Sequence, residues 1–167
     1  LSDTGHAGVW TASMVDFKYP DQSFLRCAGS LGWGIPAAIG AKCAVPERPV
    51  VCFTGDGGVY YHLTELDTAL RYGINPVIVV NNNSSLNQEQ RPVEGAYGSR
   101  NKQTDEKWIL SEIHFDKVAE SLGCFGIQVR KPSEFQGALE QALKSGKPAL
   151  IDVKTHIEGI APQAWLP

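Results

Sequence analysis

The sequence predicts an α/β protein with a doubly wound, mostly parallel six-stranded sheet and helices on both faces. Apolar, strand-like runs alternate with helical runs about six times along the chain, which is the pattern of parallel-sheet proteins. The 167 residues, 43% of them hydrophobic, are enough for one domain with its own core. Residues 50–85 form the clearest strand–helix–strand unit. A parallel sheet brings the ends of its two strands to one edge, where such folds bind ligands.

The first quarter of the chain predicts two strands and two helices. Residues 1–5 are expected to end a strand, and residues 9–17 to form a helix. A second strand is expected at residues 23–27. A helix follows over residues 36–45, because proline fits the first helical turn and the small residues there allow close packing on the sheet. Between these two elements, three glycines in residues 29–34 let the backbone pass close to a ligand.

The central unit consists of an apolar strand at residues 50–54, a helix at residues 59–72 and a second buried strand at residues 76–80. The first strand runs into the turn Gly-Asp-Gly-Gly at residues 55–58, and the second runs into three asparagines at residues 81–83. The fold should therefore bring these two polar turns together at one edge of the sheet.

The last part of the chain predicts two further strands. Residues 84–107 are polar and are expected to form a long mobile loop, which is either functional or disordered. An amphipathic helix is expected at residues 115–122 and a strand at residues 125–129. Ser133 is a good N-cap for a helix that runs to residue 143, and residues 149–153 are the final strand.

Composition excludes several classes of function. The net charge of −3 does not suggest a nucleic-acid surface, and no apolar run approaches the roughly 20 residues of a membrane span. The four cysteines lack metal-ligand spacing and are expected to be small buried thiols in a reducing, cytoplasmic compartment. The chain starts at Leu1 and not at methionine, so we expect a piece of a longer protein, cut before or within its first strand.

The polar turns carry the chemistry. The Asp56 carboxylate and the Asn83 amide, 27 positions apart, offer the hard oxygen ligands that Mg²⁺ prefers. Gly57 and Gly58 free backbone N–H groups at the start of a helix, where phosphate oxygens bind. These residues predict a Mg²⁺-bridged diphosphate. The alternative is that Asp56 only caps the helix and the asparagines only make turns.

The paired motifs GDGG and NNN resemble the thiamine-diphosphate motif, and the rest of the chain agrees. The segments GSLGWGIPAAIGA, LTELDTALRYGINPVIVVNNN and HFDKVAESLG…PALIDV resemble the acetohydroxyacid (acetolactate) synthase branch of the thiamine-diphosphate enzymes. This resemblance covers nearly the whole chain. It implies the thiamine-diphosphate-binding fold, with residues 1–167 as the single diphosphate-binding domain of a three-domain chain.

The resemblance also implies roles for individual residues. Asp56 and Asn83 would bind Mg²⁺ through their side chains, and Ser85 through its backbone carbonyl. Leu31 falls where a bulky apolar residue holds thiamine diphosphate in a bent shape, and Gly29 lies beside the aminopyrimidine. The implied cofactor-binding residues are Gly5, His6, Gly29, Ser30, Leu31, Asp56, Gly57, Gly58, Asn83, Ser85 and Leu86.

The activity that the resemblance implies is decarboxylation of a 2-keto acid, with ligation of the product to an acceptor. No catalytic residue is expected in this segment, because the activating glutamate belongs to a pyrimidine-binding domain of another subunit. Glu65, Glu89 and Glu94 are interpreted as solvated or as the polar side of a helix. The chain alone should be inactive, and the whole protein a homodimer or tetramer.

Several alternatives stay open. Residues 84–90 differ from the loop with glycine and tryptophan that follows the asparagines in the synthase branch, so substrate and acceptor are undetermined. A simple 2-keto acid decarboxylase or another lyase fits as well, and so does a cofactor-binding domain that has lost catalysis. A Rossmann-type or flavodoxin-like nucleotide domain is weaker, because Gly5 and Gly8 do not form the glycine pattern that it predicts after the first strand.

Overall fold

The structure, a computed structural model, describes residues 1–162. Its strands are β1 (Val51–Gly55), β2 (Val77–Asn82), β3 (Phe125–Val129) and β4 (Ala149–Lys154). Its helices are α1 (His6–Met14), α2 (Gly34–Ala44), α3 (Asp56–His62), α4 (Glu65–Arg71), α5 (Gln90–Tyr97), α6 (Lys102–Asp105), α7 (Phe115–Ser121) and α8 (Phe135–Lys144). Short 3₁₀ helices cover Asn87–Glu89 and Pro132–Glu134.

The four strands form one parallel sheet in the order β1-β2-β4-β3. The α/β class with a parallel sheet is confirmed, but the sheet has four strands among the described residues and not the predicted six. The two missing strands are reduced to single bridges, in which Ser2 pairs with Phe53 of β1 on one side and with Arg26 on the other. Residues 23–27 are largely exposed, with Leu25 51% accessible, so no buried face holds them in a longer ladder.

Helices cover both faces of the sheet, as predicted for a doubly wound fold. Alternate residues of each strand point to opposite faces. One core joins Ile78 and Leu150 of the sheet to α2, α3, α4 and α7. The other joins Val79 and Ile151 to Ala138 of α8 and its neighbours. The sheet is therefore buried on both sides, which explains why its central strands are continuous apolar runs.

Two predicted elements of the central and C-terminal parts differ in the structure. The single helix expected at residues 59–72 is two helices, α3 and α4, and it starts earlier, at Asp56. The last helix starts at Phe135 after a 3₁₀ turn, so Ser133 is not its N-cap. Glu134 serves that turn instead, since its Oε2 accepts the N–H groups of Arg130 and Lys131 at 2.9 and 3.1 Å.

The prediction of a long mobile loop at residues 84–107 is wrong, because this segment contains α5 and α6. Asn101 starts α6 with a capping box, in which its side chain accepts the N–H of Thr104 and the Thr104 hydroxyl accepts the N–H of Asn101. The polar composition of the segment reflects helices on the surface. In α5 no residue is fully buried.

The prediction of four buried thiols is confirmed for two of the cysteines. All four cysteines are free, and Cys52 and Cys124 are buried as expected, whereas Cys43 is exposed and Cys27 is half-buried. Within residues 1–162, none of the helices has the length and apolar character needed to cross a bilayer.

Candidate functional site

The two polar turns meet at the carboxyl edge of the sheet. Gly55 at the end of β1 lies opposite Asn81 of β2, which aligns the turns that follow the two strands. Asp56 Oδ1 accepts the N–H of Gly57 at 2.8 Å, and its Oδ2 accepts the N–H of Ser85 at 3.0 Å. One carboxylate therefore binds the start of α3 to the turn after β2. Asp56 is the first residue of α3 and not its N-cap, which is Gly55, so the predicted capping role is wrong.

Asp56 is a buried anion that forms no ion pair within the described part of the chain. Its residue is only 3% exposed. Burial raises the pKa of this carboxyl from 3.8 to about 6, although the N–H groups of Gly57 and Ser85 act in the opposite direction. A bound cation would restore the charged form, and carboxylate oxygens are preferred Mg²⁺ ligands. The residues present therefore fit a magnesium ion.

The asparagines after β2 divide between the fold and the site. Asn82 points inward, where its Nδ2 donates to Asp152 Oδ1 at 2.8 Å and to the carbonyl of Ile113 at 2.9 Å. Asn83 faces the cavity at the sheet edge, and its Oδ1 lies 2.9 Å from Ser85 Oγ. Successive residues of a strand face opposite sides, so only alternate asparagines can serve a ligand.

The glycines after Asp56 are required by packing. A Cβ at Gly57 would overlap Leu86 Cδ2 of the neighbouring turn. A Cβ at Gly58 would lie 2.6 Å from Thr54 Oγ1 and 3.0 Å from Asp3 Oδ2. The close approach of the turns thus excludes side chains at both positions. The N–H of Gly57 donates to Asp56 Oδ1.

Asp3 is a structural residue of the site that the sequence did not single out. It is fully buried. Its Oδ1 accepts the N–H groups of Thr4 and Gly32 at 2.7 and 3.1 Å, and its Oδ2 accepts the N–H of Gly34 at 3.0 Å and the hydroxyl of Thr54 at 3.3 Å. It therefore joins the first turn, the glycine-rich turn and β1. The available signal was its position near the end of an expected strand, since Asp56 likewise directly follows strand β1.

These turns enclose a cavity of about 400 Å³. Glu89, which the sequence predicted to be solvated, is exposed and contributes to the wall of this cavity. Ser30 is exposed and does not line this cavity. Its carbonyl accepts the N–H of Trp33 at 3.3 Å. The other ten predicted cofactor residues all line the cavity, namely Gly5, His6, Gly29, Leu31, Asp56, Gly57, Gly58, Asn83, Ser85 and Leu86.

A second cavity of about 280 Å³ adjoins the first, and His6 lines both. The Nδ1 atom of His6 is buried and has no hydrogen-bond partner among residues 1–162. Burial lowers the pKa of His6, and the positive charge of Arg91 lowers it further. Arg91 also lines the second cavity. The two cavities together therefore have oxygen ligands at the Asp56 end and a positive charge at the Arg91 end. The sequence did not indicate Arg91 as a site residue, because it lies in the segment predicted to be a mobile loop.

Fold and site together define a cofactor-binding domain of the thiamine-diphosphate enzymes. Residues 3–153 match the model of the family described as thiamine pyrophosphate enzyme, C-terminal TPP binding domain. The chain belongs to this family, and the resemblance stated from the motifs is confirmed.

Individual relatives fall within the same group. The chain is 39% identical over 159 residues to the acetolactate synthase large subunit of Haemophilus influenzae, which covers 94% of the chain and 27% of that protein. It is 37% identical over 146 residues to the acetolactate synthase isozyme 3 large subunit of Escherichia coli, covering 86% of the chain and 25% of that protein.

A solved structure is similar as well. The thiamine diphosphate-dependent 4-hydroxybenzoylformate decarboxylase of Rhodococcus jostii RHA1 superposes with a TM-score of 0.67 at 32% identity, over 75% of the chain and 23% of that enzyme. The chain thus spans about a quarter of the length of these relatives.

Proposed function

We propose that the whole protein is a thiamine-diphosphate-dependent enzyme that decarboxylates a 2-keto acid and ligates the product to an acceptor, in the manner of an acetolactate synthase. The observation that carries this proposal is the buried, unpaired Asp56 carboxylate between two turns of a family domain. Thiamine diphosphate, when bound, supplies an electron sink for decarboxylation. This chain supplies the groups that bind and orient it, and we propose the cytoplasm as its location.

The Asp56 end of the cavity is the proposed place of Mg²⁺ and the diphosphate. The donor set consists of the Asp56 carboxylate, the Asn83 amide oxygen and the Ser85 carbonyl, all of which are oxygen ligands suited to Mg²⁺. An amide ligand binds the cation without adding negative charge near a diphosphate. The implied remaining contacts are Gly5, His6, Gly29, Leu31, Gly57, Gly58 and Leu86.

The second cavity is the proposed place of the 2-keto acid. Its carboxylate requires a positive partner, and Arg91 lies in the wall close enough to His6 to lower the pKa of that ring. His6 connects this cavity to the first one, so a substrate held by Arg91 would face the cofactor cavity. This placement predicts that Arg91→Gln raises KM for the 2-keto acid more than it lowers kcat.

We propose that the activating glutamate comes from a pyrimidine-binding domain of another subunit, in a homo-oligomer. The chain alone is then inactive. Exposed apolar side chains around the end of α1 support a protein contact there, since Met14 and Tyr19 are 70% and 66% accessible. Phe17 and Phe24 pack on each other with ring centroids 5.4 Å apart.

Calorimetry on the whole protein tests the cofactor assignment. Asp56→Ala should abolish Mg²⁺-dependent binding of thiamine diphosphate, because it removes the buried carboxylate on which both turns converge. Asp67→Ala is the matched control, since this exposed carboxylate pairs with Arg71 on the surface. An unchanged affinity in Asp56→Ala would refute the ligand assignment.

Turnover of a panel of 2-keto acids, with product analysis, separates the proposed ligation from its alternatives. A product of two joined acyl units supports an acetolactate synthase-like enzyme. An aldehyde as the main product indicates a simple decarboxylase, the class named for the Rhodococcus jostii enzyme. Cofactor binding with no turnover of any 2-keto acid indicates a non-catalytic domain.

A further inference from the structure

A second group of metal-binding side chains lies outside the cofactor cavity, where α7 begins above β4. The group consists of His114, Asp116 and Asp152. One potential ligand atom from each lies within 4.8 Å of those of the other two. Asp116 and Asp152 are 4% and 0% exposed, whereas His114 is exposed. The group therefore has two buried carboxylates and an open side through which an ion can enter.

One buried acceptor of this group has no donor. The Gln128 amide nitrogen, which carries two N–H bonds, lies 3.4 Å from Asp152 Oδ2 and 3.1 Å from His114 Nδ1 and can donate to both. The orientation of this amide is fixed because its Oε1 accepts from Arg130 Nε at 2.7 Å. Asp116 Oδ1 is buried and has no hydrogen-bond partner in the described residues. An unpaired buried carboxylate oxygen is costly, and a bound cation would satisfy it.

The other contacts of the two carboxylates do not supply that cation. Asp152 also accepts the N–H of Phe115 at 3.2 Å and the amide of Asn82, both neutral donors. Lys117 Nζ lies 3.7 Å from Asp116 Oδ2, but it lies 2.9 Å from Glu120 Oε2, and its side chain is 66% exposed. The Lys117 ammonium is therefore solvated and directed mainly at Glu120. Lys154, two residues after Asp152, donates to the carbonyl of Ile113 at 3.1 Å and pairs with Glu112 at 3.5 Å.

We propose that His114, Asp116 and Asp152 bind one divalent transition-metal ion of the Zn²⁺ class. One imidazole nitrogen and two carboxylate oxygens form a donor set that suits Zn²⁺, whereas Mg²⁺ favours oxygen alone. Ligand atoms around a tetrahedral Zn²⁺ at bonds of about 2.1 Å lie about 3.4 Å apart. Each distance must therefore shorten by at most roughly 1.4 Å. Rotation of the exposed His114 side chain can shorten its distances to the two carboxylates, and the two aspartates must approach each other for the rest.

The site is separate from the Mg²⁺ site of the proposed function. Asn82 connects the two, since its Nδ2 binds Asp152 and its Oδ1 accepts the N–H of Ser84 at 3.3 Å in the turn beside Asp56. The inference rests only on the His114 group and does not need the enzyme activity.

Calorimetric titration of the whole, metal-stripped protein with ZnCl₂ in excess Mg²⁺ tests the inference. Wild type should bind Zn²⁺ at this site, and Asp116→Asn and His114→Gln should each weaken this binding by at least about tenfold. His156→Gln is the matched control, because the ring of this exposed histidine accepts the N–H of Glu158 and lies outside the His114 group. This variant should leave Zn²⁺ affinity unchanged. Circular dichroism spectra that match wild type show that the variants fold.

Cobalt provides a second readout, because Co²⁺ in the same site should give visible absorption bands that both variants lose. Zn²⁺ affinity that is the same in wild type and in both variants would overturn the proposal. So would a wild-type protein that binds no Zn²⁺.

Discussion

The pH dependence of stability gives the sharpest test of how Asp56 is held. Burial raises the pKa of this carboxyl from 3.8 to about 6, and a difference of this size corresponds to about 3 kcal/mol. The folded state holds the proton more tightly than the unfolded chain. The contribution of Asp56 to the free energy of unfolding therefore falls as pH rises from about 4 to about 6, and it is level above that range.

The variant Asp56→Asn removes the titrating carboxyl and lowers the free energy of unfolding by an amount that does not depend on pH. An amide has one acceptor oxygen, so either the N–H of Gly57 or that of Ser85 loses its partner. This loss costs about 1–3 kcal/mol at every pH. The variant should thus be less stable than wild type by about 1–3 kcal/mol at pH 4, and equal to it or up to about 2 kcal/mol more stable at pH 7.

Urea unfolding of the 167-residue chain in EDTA, followed by circular dichroism from pH 4 to pH 7, measures this difference. The decisive quantity is the free energy of unfolding of the variant minus that of wild type. This difference should rise by about 3 kcal/mol from pH 4 to pH 7. Asp67→Asn, at an exposed carboxylate, is the control and should show no such rise. A flat difference for Asp56→Asn would mean that the folded state does not hold this carboxyl in the way its burial implies.

Three further predictions concern the surrounding turns. Gly57→Ala should destabilise the chain by about 1–3 kcal/mol in urea, because its methyl group overlaps a leucine of the neighbouring turn, whereas Gly55→Ala, with nothing within 4 Å of its Cβ, should not. Asp3→Ala should cost at least about 3 kcal/mol, since three buried N–H groups lose their acceptor; a loss below 1 kcal/mol would contradict that role. Arg91→Gln should raise the pKa of His6 part of the way to its usual value, as measured by NMR, because burial remains the larger cause; an unchanged pKa would show that the two groups do not interact.

The central strands could be predicted from the sequence because they are buried on both faces and therefore consist of long apolar runs. Strands β2 and β4 are near-continuous apolar runs, and such runs arise only where helices cover both faces. The failures lie where local composition does not show the fold. Residues 23–27 have a strand-like composition but form one bridge, and α5 is polar because no residue of it is fully buried.

The site was predictable only in part, for a related reason. Asp56 and Asn83 stand directly after strands, so the topology alone brings them together at the sheet edge. Arg91 reaches the second cavity through a helix that the sequence did not indicate. The group of His114, Asp116 and Asp152 joins two elements that are separated by more than 30 positions, and no motif marks it.

Asp3 and Asp56 show why residue type and position do not decide what a carboxylate does. Both follow a strand-end residue, both are buried, and both face the same group of turns. Asp3 accepts four hydrogen bonds, which occupy both of its oxygens and satisfy the charge with neutral donors. Asp56 accepts the N–H groups of Gly57 and Ser85, and those of Ser84 and Asn83 also lower its pKa, so its donors are likewise neutral backbone groups. What distinguishes Asp56 is its place, because it lines the cavity at the sheet edge whereas Asp3 is enclosed by its donors, and only the folded chain reveals which carboxylate faces that cavity.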